Sequence, residues 1–168
     1  MQAPERRQPL GIVFDSSIDD GIDRVLGLAL TLAYHSKQEA RLLSLSTSRN
    51  NLKIAGFCDA MERFYTTNLS IGMNEKGAAA TTLPPMLVAP MTKTTPEGRM
   101  VYNRLVEKLN DTADPVALIR NALTAQQDQT AAVILAGNPV NLLGLLALPG
   151  SKAVIQKKVR MQIGRAHV

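Results

Sequence analysis

Three times along this chain a short apolar run stops at a polar loop and a helical spacing of apolar residues follows; nothing else in the sequence restricts the fold as strongly. Residues 11–14, Gly-Ile-Val-Phe, end at Asp15, and Ile22, Val25, Leu26, Ala29, Leu30 and Ala33 then recur at the spacing of one helical face. Residues 40–46 form the second run. The polar stretch 47–51 follows, then a helix expected to bury Ile54, Phe57, Cys58, Met61 and Phe64. Residues 131–136 form the third, with Gly137-Asn138-Pro139 as turn and cap, and 140–148 is apolar nearly all round, which predicts a helix buried between neighbours. A fourth strand is expected within 157–163. Asp114-Pro115 predicts a capped helix carrying Val116, Ile119, Ala122 and Leu123 on its inner face. Between these units, residues 66–99 hold Gly72, Gly77, Pro84, Pro85, Pro90, Pro96 and Gly98 without a sustained period and read as a long excursion. Strands alternating with helices, without hairpin signals, predict an α/β fold: an open, mostly parallel, doubly wound sheet with helices on both faces.

Composition narrows the function. At 168 residues, 45% apolar and 20% charged, the chain has the make-up of one ordinary globular domain. No apolar run is long enough to cross a bilayer, and the first ten residues lack the apolar core of a signal peptide. Its one cysteine, Cys58, cannot form an internal disulfide, and no Cys/His spacing suits zinc, which fits a reducing, cytoplasmic setting. The net charge of +5 is scattered and only three Tyr and three Phe are present, so a nucleic-acid partner is not expected. Cys58 lies at core spacing with no basic partner and reads as a buried thiol. His35 closes the first helix, where a cation would meet the negative end of the dipole.

In open parallel sheets ligands collect at the carboxyl ends of the strands, which directs attention to loops 15–24, 46–51 and 136–141. The first carries Asp15, Asp19, Asp20 and Asp23 within nine residues. Converging carboxylates bind a hard cation through oxygen, and a metal-held water is a nucleophile. Aspartates at a helix start also serve as caps and dipole partners, so both readings stand on the residues alone.

The chain resembles the inosine-uridine preferring nucleoside hydrolases, in their bacterial branch. The likeness rests on Ile12-Val13-Phe14-Asp15-Ser16-Ser17-Ile18, on Ile22-Asp23-Arg24-Val25-Leu26-Gly27-Leu28-Ala29-Leu30, and on Phe57-Cys58-Asp59-Ala60 with Arg63-Phe64-Tyr65. Glu107-Lys108-Leu109-Asn110-Asp111-Thr112-Ala113-Asp114-Pro115 and Ala136-Gly137-Asn138-Pro139-Val140-Asn141-Leu142 extend it. The resemblance implies that residues 1–162 form the N-terminal half of a single nucleoside hydrolase-like domain, with the leaving-group acid and the last calcium ligand beyond Gln162. It implies a calcium-dependent N-glycosidase acting on a small-molecule nucleoside by metal-activated water, and it allows a homo-oligomer of the full-length protein. Residues 163–168, Ile-Gly-Arg-Ala-His-Val, are similar to the translation of a sequencing adaptor, so His167 is expected to carry no function.

Carried over position by position, the resemblance implies Asp15 as a catalytic and metal-ligating residue and Asp23 and Asn50 as ribose contacts. Ala136 would offer its carbonyl to Ca2+. In this register Ser17 stands at the general-base position and Arg24 at a metal-ligating one. A lone hydroxyl is no base near neutral pH and a guanidinium repels calcium, so this copy reads as degenerate. A second register places Asp15, Asp19 and Asp20 on the family's spacing, with Asp19 toward ribose and Asp20 toward the metal; the helix start at Ile22-Asp23-Arg24 favours the first. Two alternatives remain: a non-catalytic nucleoside or sugar binding module on the same fold, and a haloacid-dehalogenase-like phosphatase using Asp15 as nucleophile.

Overall fold

The computed structural model describes residues 8–80 and 82–164. Among them five strands form one wholly parallel sheet: β1 (Leu10–Ser16), β2 (Ala40–Asn50), β3 (Ile71–Ala79), β4 (Ala131–Ala136) and β5 (Val159–Gly164), in the order β3-β2-β1-β4-β5. Six α-helices connect them: α1 (Ile22–Ser36), α2 (Leu52–Phe64), α3 (Pro85–Thr92), α4 (Pro115–Thr124), α5 (Val140–Ala147) and α6 (Ser151–Lys158). The strand order reverses at β1. The chain winds outward through β2 and β3, returns past β1, and winds the other way through β4 and β5, which puts the switch point between β1 and β4.

Alternation along β1 divides the core between two layers. Phe14 joins Ile18, Leu28, Leu32, Ile54 and Phe57 under α1, α2 and α3, while Val13 joins Ile119, Leu123, Val133, Leu142 and Leu145 under α4 and α5. The expected capping of α4 is present: Asp114 Oδ1 accepts from the Ala117 amide at 2.7 Å, and Pro115 takes the first helical position. Asn51 caps α2 likewise, accepting from Lys53 N at 2.9 Å.

The excursion at 66–99 contains a strand and a helix. β3 pairs with β2, and α3 supplies Leu87 and Met91 to the core. Only the first three residues of β3 are buried; Glu75, Lys76, Ala78 and Ala79 are exposed, so the segment lacks the apolar run that marks an inner strand. Lys157 and Lys158 belong to α6, not to the fourth expected strand, which starts at Val159. Helix α1 turns a different face inward. Arg24, Leu28, Thr31 and Leu32 are buried, whereas Ile22, Leu26 and Leu30 are more than half exposed. Phe64 is likewise exposed at the end of α2, and α5 leaves Leu143 and Leu146 open to solvent, so neither is buried as its pattern predicts. His35 Nδ1 accepts from the Leu42 amide at 3.0 Å, which ties the end of α1 to β2. Cys58 is buried, and burial pushes its thiol up, as an inert core residue requires. Of the six-residue tail, Ile163 and Gly164 close β5; 165–168, including His167, lie outside the described residues. None of the described helices is long and apolar enough to cross a membrane.

Candidate functional site

Strands β1, β2 and β4 end side by side, and their register brings the loops together: Asp15 lies opposite Ser46 on β2 and Leu135 on β4, and Ser16 opposite Thr47 and Ala136. Asp15 is fully buried. Its Oδ1 accepts from Ser46 Oγ at 2.7 Å and from Asn141 Nδ2 at 2.8 Å, while Oδ2 has no protein partner. Burial pushes this carboxyl up to about 6, and the bonds from Ser46 and Asn141 pull it only partly back. Asn141, in the first turn of α5, also donates to the Thr47 carbonyl at 3.2 Å and accepts from Asn74 of β3 at 2.7 Å. A single amide thus ties together β1, β2, β3 and α5 at the carboxyl edge.

Ser17 follows directly. Its Oγ lies 2.7 Å from Ser48 Oγ and accepts from the Asn138 amide at 3.0 Å. Its own amide donates to the Ala136 carbonyl at 3.2 Å, which also accepts from Ser16 Oγ at 2.9 Å. The approach is so close that a Cβ on Gly137 would fall 2.3 Å from Ser17 N, which leaves glycine as the residue that fits. The neighbours of the Ser17 hydroxyl are a second hydroxyl and an amide; neither is a base.

The remaining aspartates face arginines or solvent. Asp19 pairs with Arg49 of β2 at 3.1 Å, and Asp20 with Arg24 at 2.5 Å. Arg24 is 5% exposed and reaches the Ser17 carbonyl at 3.3 Å. Asp23 is exposed in the first turn of α1. Asn50 sits four residues beyond Ser46 on β2, roughly 13 Å further along an extended strand, exposed and donating to the Glu75 carbonyl at 2.7 Å. The fold therefore gathers Asp15, Ser17 and Ala136 closely and leaves Asn50 on the rim.

Two openings flank this buried floor. A crevice of about 310 Å³ is lined by Asp23, Arg24, Leu135 and Ala136, with Ile163 and Gly164 along its side. Another, of about 500 Å³, lies over the start of α2 and is lined by Asn50, Asn51, Lys53 and Leu83. Both are of a size that holds small polar ligands. Ser46, Ser48, Asn74 and Asn141 were not marked as site residues by the sequence. The one available signal was that Ser46, Ser48 and Asn141 fall in the strand-end loops 46–51 and 136–141.

Calcium requires six to eight oxygens. Among the described residues no group of three or more His, Cys, Asp or Glu side chains is placed to hold a metal ion. The Ala136 carbonyl already accepts two bonds, and Asp19 and Asp20 face guanidinium groups. The donor set present does not fit the ion that the resemblance implies.

No protein-family model matches the chain, and no curated protein matches it significantly. Solved structures do. A plant nucleoside hydrolase superposes over 93% of this chain and 47% of its own, with a TM-score of 0.59 at 14% identity. An inosine-uridine preferring nucleoside hydrolase from Bacillus anthracis covers 92% of this chain and 50% of its own, with a TM-score of 0.53 at 13% identity. A protein described as an effector covers 94% and 44%, with a TM-score of 0.59 at 11% identity. The chain spans about half the length of these structures. At such identities the likeness speaks for architecture alone, and that architecture is nucleoside hydrolase-like.

Proposed function

We propose that this chain forms the sugar-binding edge of a protein that binds a ribonucleoside, or its free sugar, without hydrolysing it. The observation that carries the reading is the setting of Ser17, whose hydroxyl is held by Ser48 and the Asn138 amide with no base beside it. A serine so placed does not take a proton from water near neutral pH. The fold and the position at the switch point support a ligand of the kind named in two of the similar structures, a nucleoside. The crevice beside Arg24 and Ala136 is also lined by Asp23, whose exposed carboxylate can accept from vicinal hydroxyls.

One observation favours the alternative, a nucleoside hydrolase. Asp15 Oδ2 is buried and lacks a protein partner, and a carboxyl held up to about 6 is suited to exchange protons near neutral pH. Calorimetric titration of the protein with inosine, uridine and ribose, beside an assay for released reducing sugar, separates the two. Saturable heat with no sugar release supports binding without hydrolysis. Steady ribose release from inosine or uridine would establish the hydrolase instead, and absence of any saturable heat would refute both.

A further inference from the structure

Four aspartates within nine residues at the end of a buried strand are a cation site in waiting, yet the fold supplies its own cations. Arg49 approaches from β2, with Nε 3.1 Å from each carboxylate oxygen of Asp19. Arg24 approaches from α1, with one terminal nitrogen 2.5 Å from Asp20 and 3.3 Å from the carbonyl of Ser17. Three of the four are largely out of water, the side chains of Arg24 and Asp19 being 5% and 8% exposed and that of Arg49 25%, whereas Asp20 is 59% exposed at the rim. The oxygens that a hard cation would gather, from Ser17, Asp19, Asp20 and Ala136, are present but already accept from N–H or O–H donors.

We propose that Arg24 and Arg49 are the resident counter-ions of the β1–α1 loop, neutralising Asp20 and Asp19 in place of a divalent ion. Two physical points carry this. A guanidinium stays charged at any pH the fold survives, and its planar donors meet several oxygens at once, so it can replace a spherical ion as organiser of an oxygen-rich loop. A carboxylate as buried as Asp19 cannot be left uncompensated, so removal of the arginines creates a demand for another cation. The inference concerns the charge balance of the loop and uses no nucleoside, so a failed nucleoside titration leaves it standing.

Calcium titration of the whole chain after chelation, read by calorimetry and by thermal melting at constant ionic strength, tests it. The unaltered protein should show no saturable calcium binding up to about 10 mM, beyond the range of weak protein sites. The double variant Arg24→Gln, Arg49→Gln should bind calcium with a dissociation constant of about 1 mM or tighter and melt several degrees higher with calcium than with magnesium. Arg24→Lys with Arg49→Lys keeps the charge and should stay silent, which separates charge from side-chain packing. If the glutamine variant is unfolded after chelation, recovery of its circular dichroism on adding calcium supports the proposal and no recovery overturns it. Saturable binding by the unaltered protein, a glutamine variant as silent as the unaltered chain, or a lysine variant that binds as the glutamine one does, would each overturn it.

Discussion

Glu62 offers the sharpest test of how this fold carries its buried charge. The residue is fully buried on α2; Oε2 accepts from the Leu69 amide at 3.1 Å and Oε1 has no protein partner. Burial pushes its carboxyl from an ordinary 4.5 to about 7; the Leu69 amide lowers it, neighbouring Asp59 raises it, and Arg63 lowers it again. The folded state therefore holds this proton more tightly than the unfolded chain does, so stability falls as pH rises from about 4.5 to about 7 and is level above. The two values differ by an amount worth about 3 kcal/mol between pH 4 and pH 8. Glu62→Gln keeps an acceptor for Leu69 and cannot ionise. Urea unfolding from pH 4.5 to 8.5 should show the variant more stable by about 1–3 kcal/mol at pH 8, with the advantage shrinking to nothing or reversing near pH 4.5. Asp15 titrates in the same direction, up to about 6, but is common to both proteins and drops out of the difference. A stability difference that is flat from pH 4.5 to 8 would refute the reasoning.

Asn141→Ala removes one of two donors to Asp15 and should cost about 1–3 kcal/mol, more at pH 8 than at pH 5 because the ionised carboxylate loses more; a pH-independent cost in urea melts would contradict it. Phe14→Ala opens a void beneath α1 and α2, and guanidinium unfolding should show a loss of about 3–5 kcal/mol. β5 presents Met161 and Ile163, both about half exposed, and among the described strands it pairs with β4 alone. Met161→Lys should therefore lower self-association measured by light scattering, with the circular dichroism spectrum unchanged.

The parallel α/β class, the Asp114 cap and the concentration of polar residues at the strand ends were legible in the sequence, because each follows from local chemistry. An apolar run that stops at Asp15 must be an inner strand meeting a polar edge, and Asp114-Pro115 can start a helix unaided. Other features depended on partners remote in the chain. β3 is a strand because β2 offers an open edge to Ile71, Gly72 and Met73, although its outer half reads as loop. Helix α1 carries two apolar stripes, and only the position of Phe14, Ile18 and Leu42 decides that Leu28 and Leu32 go inward while Ile22, Leu26 and Leu30 stay outside. The site divides in the same way. The sequence supplied four carboxylates, but Arg49 meets Asp19 across 30 positions and Asn141 meets Asp15 across 126. Whether an acidic loop is a cation site or a neutralised one depends on those distant donors, and only the folded sheet brings them within a hydrogen bond's length.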